Sequence, residues 1–369
     1  MKLTMSEDQR ELQSVAREML ADLAPLSLAR AFLEGEGDAA GLDVQLRDLG
    51  WYAVGLEDDG FGVQGLCMLS ERCGAQAAPT ALVDTAVAAR IAAAIDGDDE
   101  LTARVAAGDA ATALAVVEAG ADWTLSGVEA TLRPEGDGFL LDGVKAGVQA
   151  APRVDAFLVL ADRAGELAWA LVPAGAAGVT LIEGHSLDAA ADSRVLELSG
   201  VAVPPGRVLV GDAAGAVDGA LRVGAVATAA EAVGAASAAL DMAIEYSRER
   251  EQFGAPIGSF QALKHLMADA HVDRESAWSS VLYAAAAIDE GDAEAAEAVA
   301  IAKAYSARAS RAVVEAALQV FGGIAFTWEH DAHLLQRRVL AAERRFGDAI
   351  QHERALGARL AARRVGAAA

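Results

Sequence analysis

Two runs carry the residue types best suited to hold an anion: Arg250-Glu-Gln-Phe-Gly-Ala-Pro-Ile-Gly-Ser-Phe-Gln261 and Gln319-Val-Phe-Gly-Gly323. An arginine presents a planar fork of directed donors that matches paired oxygens. The amides of Gln261 and Gln319 can both donate and accept, and Gly322-Gly323 permits close approach to the backbone. Taken singly, Arg-x-x-Phe-Gly is a weak signal, and Arg250 reads rather as a surface arginine and Phe253 as a core ring. His330 and His333 stand three apart, a spacing open to a metal, but no third ligand converges on them and a solvated or capping role is expected. Glu118 and Lys145 read as charges at a strand end and a hairpin, and Trp169, Trp278 and Trp328 as core or interface anchors.

The elements that must position these residues follow from periodicity. Residues 1–112 read as a helical domain: Ser6-Glu-Asp-Gln gives an N-cap and an acidic first turn, and Leu12, Val15, Ala16, Met19 and Leu20 recur at helical spacing. Residues 113–212 turn to short β-rich runs, predicted over Thr112–Val117, Phe139–Leu141, Ala156–Ala161, Leu167–Val172, Val179–Ile182 and Val195–Val203. Gly136-Asp137-Gly138 is a hairpin turn signal, and Gly211–Gly215 reads as a linker. Residues 213–369 form long alanine-rich helices broken near Gly254-Ala-Pro, Gly291-Asp and Gly322-Gly323, the pattern of an antiparallel bundle. Small residues at Gly224, Gly234, Ala235 and Ala236 would let helices approach closely.

Fifty-four acidic against thirty basic residues leave a formal charge of −24, which repels a nucleic acid backbone and excludes it as an expected partner. An anionic ligand would need a local basic patch, for which Arg337-Arg338 and Arg344-Arg345 are candidates, unless they are solvated helix faces. No uninterrupted apolar run is long enough to span a bilayer, and the first ten residues turn polar at once, so a cytoplasmic protein is expected. Cys67 and Cys73, the only cysteines, are expected to be reduced helix residues.

In their shared order, the two anion-suited runs resemble the paired FAD-contacting segments of the acyl-CoA dehydrogenase family. The resemblance extends over the order of helical domain, β domain and helical bundle, and implies the α+β fold of that family. It implies that Arg250, Gln252, Phe253, Gln261, Gln319, Gly322 and Gly323 reach across a subunit interface to hold the ADP half of a neighbour's FAD. Dehydrogenating an acyl-CoA needs a carboxylate at the α-proton, with the flavin taking the β-hydride. The family's two positions for that base fall on Gly347 and Gly224, so no catalytic residue is expected in this chain. Asp348 and Glu231 lie near those positions and are expected to be structural.

In the middle domain, groups that cradle the flavin ring in the family are replaced by Val117, Trp123, Gly147 and Gln149. Retaining the across-interface segments without ring pocket or base resembles one subunit of the bacterial α2β2 acyl-CoA dehydrogenases that act on steroid side-chain CoA thioesters. The resemblance implies a homologous partner subunit that supplies the glutamate, an acyl-CoA substrate and an electron-transfer flavoprotein or similar acceptor. The alternatives are a self-sufficient homotetramer with Asp348 or Glu231 as a displaced base, and a non-catalytic scaffold that binds CoA thioesters.

Overall fold

A computed structural model describes residues 5–366 except 57–59, 97, 150–153, 183–185 and 212–214, with side chains to residue 363. The linker read at Gly211–Gly215 thus has its centre outside the described residues. Helices α1 (Glu7–Leu23), α2 (Leu26–Leu33), α3 (Ala40–Asp48), α4 (Gly62–Ala75), α5 (Leu82–Ala92) and α6 (Glu100–Ala106) come first. Strands β1 (Thr112–Ala115), β2 (Thr131–Glu135), β3 (Gly138–Gln149), β4 (Ala156–Arg163), β5 (Glu166–Pro173), β6 (Val179–Ile182), β7 (Ser193–Val203) and β8 (Val208–Val210) follow. The C-terminal part holds α7 (Ala216–Glu249), a small hairpin of β9 (Glu251–Gln252) and β10 (Ala255–Pro256), then α8 (Gln261–Asp289), α9 (Ala295–Phe321), α10 (Ala332–Arg344) and α11 (Ala349–Gly366). The contacts group these elements into two compact units, residues 1–30, 63–78 and 225–369 in one, residues 31–62 and 79–224 in the other.

The second unit is built on one sheet in the order β6-β7-β3-β2-β4-β5-β8, with β1 pairing β4 in parallel. Strand β4 is buried from Ala156 to Ala161 without alternation, as a strand covered on both faces should be. Strand β2 was not expected from the sequence: three of its five residues are exposed, so Thr-Leu-Arg-Pro-Glu shows no apolar alternation. It pairs with β3 through a two-residue turn at Gly136-Asp137, with Gly136 at φ +57°. Strand β3 runs far beyond the expected Phe139–Leu141, because its glycines mark register shifts rather than an end.

Strand β3 also carries a correction. Lys145 is fully buried, its ammonium pairs with Glu118, and it donates to the carbonyl of Val116 at 3.3 Å. Glu118, 7% exposed, also accepts from the amides of Glu129 and Ala130 at 2.9 and 3.2 Å. These are an internal ion pair, not solvated strand-end charges, and burial pulls the Lys145 amine below its ordinary value.

The first unit is an alanine-rich helical core. Ala235, Ala236, Ala239 and Leu240 of α7 pack with Val313, Val314, Ala317 and Phe321 of α9 and Leu335 and Val339 of α10. Small residues let α4 and α7 cross with their backbones in contact. A Cβ on Gly74 would lie 1.9 Å from the carbonyl oxygen of Glu231, and one on Gly234 would lie 1.8 Å from that of Glu71. Asp289, the last residue of α8, accepts from the amides of Val63 and Gln64 at 2.7 and 3.1 Å and so caps the start of α4. Cys67 and Cys73 are buried and unbridged in α4. By length and composition, α7 and the stretch Ala295–Phe326 would suffice to cross a bilayer, but 89% of the apolar window in α7 is buried as core.

Candidate functional site

The residues singled out for anion binding come together at one end of the helical unit. Helix α7 ends at Glu249, and Arg250 follows, its amide bonded to the carbonyl of Tyr246 at 2.9 Å. The chain turns back through the β9–β10 hairpin, where Ala255 pairs with Gln252, and the amide of Ile257 returns to the carbonyl of Arg250 at 2.7 Å. Phe253 and Gly254 form the tip, at φ +55° and +82°. A phenylalanine in that left-handed region is strained, and this one is also 96% exposed. Its one ring contact among the described residues is edge-on to Phe260, at 6.1 Å between centroids. Phe253 is therefore not the core ring that Arg-x-x-Phe-Gly alone would allow.

Gln261 opens α8, whose N-cap residue, Phe260, supplies no side-chain cap. The first amides of a 29-residue helix thus face outward beside the hairpin, the positive end of its dipole. The second run reaches the same end from α9. Gln319 lies exposed in its last turn, Gly322 takes φ +65°, and Gly323 is exposed in the 3-10 turn Gly322–Phe326. The rings of Tyr246 and Phe321 sit 5.4 Å apart, and Ile257 shares a core cluster with Leu318 and Phe321, which ties the two runs together. Arg250, Gln252, Phe253, Gln261, Gln319 and Gly323 are all exposed and Gly322 is half-buried, so the set forms an open surface.

The segment after the glycine pair is strapped to the N-terminal helices. The Arg30 guanidinium donates to the Trp328 carbonyl and, at 2.5 Å, to Asp331, and lies 5.9 Å from the centroid of the Trp328 ring. His330 accepts from the amide of Ala332 at 3.1 Å, a capping role, and His333 stacks on Trp328 at 5.6 Å. Among the described residues, no three His, Cys, Asp or Glu side chains could share a metal ion. Trp169 is a core residue at 1% exposure, whereas Trp328 is half exposed.

At the other place of interest, the turn joining α10 to α11, Gly347 sits at φ +93°. A side chain there would meet His352 Nε2 at 3.0 Å and Gln351 Oε1 at 3.3 Å. Asp348 closes a capping box at the start of α11: its carboxylate accepts from the Gln351 amide at 2.8 Å, and the Gln351 side chain accepts from the Asp348 amide at 2.9 Å. Glu231, 9% exposed, accepts from Arg338 at 2.9 Å and from Arg345 at 3.1 Å. Arg338 also donates to the carbonyls of Ala77 and Ala78, both at 3.0 Å. The pairs Arg337-Arg338 and Arg344-Arg345 therefore split, with Arg338 and Arg345 drawn inward onto Glu231.

Lys303 of α9 was missed from the sequence, because an Ala-Lys-Ala run on a helix gives no sign of burial. It is 1% exposed and donates to the carbonyl of Ala342 at 2.7 Å and to Thr228 Oγ1 at 3.3 Å. Burial, reinforced by Arg345, pulls its amine down to about 7. Burial likewise lowers the value of His352, whose Nε2 bonds the Phe346 carbonyl at 2.9 Å. This corner gathers Lys303, Arg338 and Arg345 near two carboxylates that are both engaged, Glu231 by two arginines and Asp348 in its cap. In the other unit, Gly147 occupies a register shift of β3 between Lys145 and Val148 with φ +67°, a backbone that disfavours any larger side chain.

A sequence model described as "Acyl-CoA dehydrogenase, C-terminal domain" matches residues 214–360. The acyl-CoA dehydrogenase FadE34 of Mycobacterium tuberculosis is 31% identical over 88% of this chain, which spans only 45% of that protein's length. Among solved structures, the Tcur3481–Tcur3483 steroid ACAD is 30% identical with a TM-score of 0.84, over 99% of this chain and 100% of that one. The ChsE4–ChsE5 complex of Mycobacterium tuberculosis is 26% identical with a TM-score of 0.84, over 98% and 99% of the two chains. With the 30%-identical steroid ACAD matched end to end, and with the expected helical and β parts in place, the chain belongs to the acyl-CoA dehydrogenase family.

Proposed function

We propose that this chain is the non-catalytic subunit of a heteromeric, FAD-dependent acyl-CoA dehydrogenase, an α2β2 assembly with a homologous subunit. The observation that carries the reading is the corner around Gly347. The family's base position holds a glycine at φ +93° whose Cβ direction is taken by His352, Asp348 is spent on a cap, and Glu231 is held by two arginines. The partner then supplies the glutamate that removes the α-proton, and FAD, when bound, accepts the hydride.

This chain's contribution is the open surface at the end of its bundle. Arg250 offers its fork to the pyrophosphate of a flavin held mainly by the partner, beside the uncapped start of α8. Phe253, almost fully exposed on its hairpin, packs on the adenosine side, Gln252, Gln261 and Gln319 hydrogen-bond to it, and Gly322 and Gly323 admit it closely. The substrate is an acyl-CoA thioester, with a steroid side-chain CoA favoured by the likeness to a steroid ACAD, and the electrons pass to an electron-transfer flavoprotein or similar acceptor.

Co-expression with homologous acyl-CoA dehydrogenase chains, followed by flavin content and turnover, tests this. The chain purified alone is expected to carry little FAD and to lack dehydrogenase activity. Stoichiometric flavin with turnover from the lone chain would instead establish a self-sufficient enzyme.

A further inference from the structure

The helical unit contains a polar cavity walled by α1, α4, α7 and α8, with a volume of about 530 Å³. That size lies in the range of small-molecule sites, roughly 300–1,000 Å³. None of the residues implicated above in flavin binding lines it. Its charged groups are three arginines, Arg17, Arg72 and Arg274, and three carboxylates, Glu71, Asp241 and Glu275.

The pairing of these groups is uneven. Arg274 is consumed by Asp241 at 2.9 Å and Glu275 at 3.1 Å. Glu71, 6% exposed, holds Arg72 through Nε at 2.6 Å. Among the described residues, nothing else bonds the Arg72 guanidinium, so its terminal nitrogens are left to the cavity. Arg17 has no hydrogen-bond or ion-pair partner among the described residues. Gln13 and Gln76 add amides on the same wall, and Trp278, with Val233 and Ala238, gives an apolar one.

An arginine held by the charge of a neighbouring buried carboxylate stays at the cavity wall with its terminal donors available. A second guanidinium beside it completes a fork for two oxygens. The cavity is neutral overall, but its charge is divided: two carboxylates crowd Arg274, while Arg17 and the outer nitrogens of Arg72 form a cationic side with room for one carboxylate rather than a polyphosphate.

We propose that this cavity is a binding site for an organic monocarboxylate, its carboxylate held by Arg17 and Arg72 and its apolar body lying against Trp278. Glu71 acts as the positioning residue for Arg72. Burial pushes the Glu71 carboxyl up, while Arg72, Arg17 and Arg274 draw it back, consistent with a carboxylate kept inside the fold for its arginine partner. The inference is independent of the flavin-site reading.

Calorimetric titration of the full chain with octanoate tests the site, with octan-1-ol and inorganic phosphate as comparators. Saturable binding of octanoate is expected, at least tenfold tighter than octanol. Arg17→Gln, a change at an exposed residue that leaves the melting temperature unaltered, should weaken octanoate at least tenfold. Arg72→Lys, which keeps the charge and loses the fork, should weaken it similarly, and Trp278→Ala, which removes the apolar wall, should weaken octanoate as well. Equal binding of octanol, displacement of octanoate by phosphate, undiminished binding to Arg17→Gln, or no saturable heat at all would each overturn the proposal.

Discussion

Gly234→Ala isolates the contact on which the helical unit is built. The added Cβ would lie 1.8 Å from the carbonyl oxygen of Glu71, far inside the ordinary contact distance of 3.4 Å, so the helices must separate or bend. The obstacle is backbone on both sides, and no rotamer change relieves it. Overpacking of a close-packed core costs about 1–3 kcal/mol, and this displacement belongs at the upper end. Alanine returns up to about 1 kcal/mol through helix propensity, leaving a net loss of about 2 kcal/mol. Gly219→Ala on the same helix is the control. Nothing lies within 4 Å of its Cβ, so the propensity gain stands alone and the variant should be more stable by up to about 1 kcal/mol. Urea denaturation of the full chain, followed by far-UV circular dichroism, measures both as shifts of midpoint at constant slope. If Gly234→Ala moved with Gly219→Ala, toward greater stability, the reading of a backbone-to-backbone crossing would be wrong.

Three further outcomes are expected. Glu231→Ala should cost about 3–5 kcal/mol in the same denaturation assay, because it strands Arg338 and Arg345 beside each other without their carboxylate; an exposed-pair effect of under about 1 kcal/mol would contradict the burial. Lys303→Met should change the pH dependence of stability. The folded-state value of about 7 lies below the ordinary 10.5, so the unfolded chain binds the extra proton between them, and the wild type should gain stability over the variant as pH rises through that window, by at most about 1.4 kcal/mol per pH unit. Parallel melting curves of the two proteins from pH 6 to 9 would refute this. In the assembled complex, Arg250→Ala should loosen FAD by about 2–4 kcal/mol where the site is desolvated, with Arg250→Lys recovering part of the loss; flavin retained through extensive dialysis of the alanine variant would remove Arg250 from the site.

What could be read from the sequence was whatever depends on local spacing. The amphipathic start of α1 appears with Ser6 as its cap in a full capping box, since both partners lie within one turn. Strand β4 was legible as a continuous apolar run, and β2 was not, because an exposed strand has no reason to alternate. The exposed hairpin bearing Phe253 was visible as a motif, but its exposure was not, since a phenylalanine in a sequence carries no mark of which side it faces.

The buried charges were illegible for a different reason. Glu118 and Lys145 meet across 27 residues, Glu231 and Arg345 across 114, and nothing in the neighbouring residues of either reports the partner. In an alanine-rich chain this limitation is systematic. Helices with methyl side chains approach closely enough that a carboxylate on one is reached by arginines from another without leaving the core, so positions that look like solvated helix faces become internal. The same close approach decides the fate of the candidate base: Glu231 sits where α7 touches α4, within reach of Arg338 and Arg345, and is bound by both. Both oxygens of that carboxylate are occupied by guanidinium groups, one buried and one half-buried, and Arg338 in turn reaches the carbonyls of Ala77 and Ala78, so Glu231 serves the packing of the helices it joins.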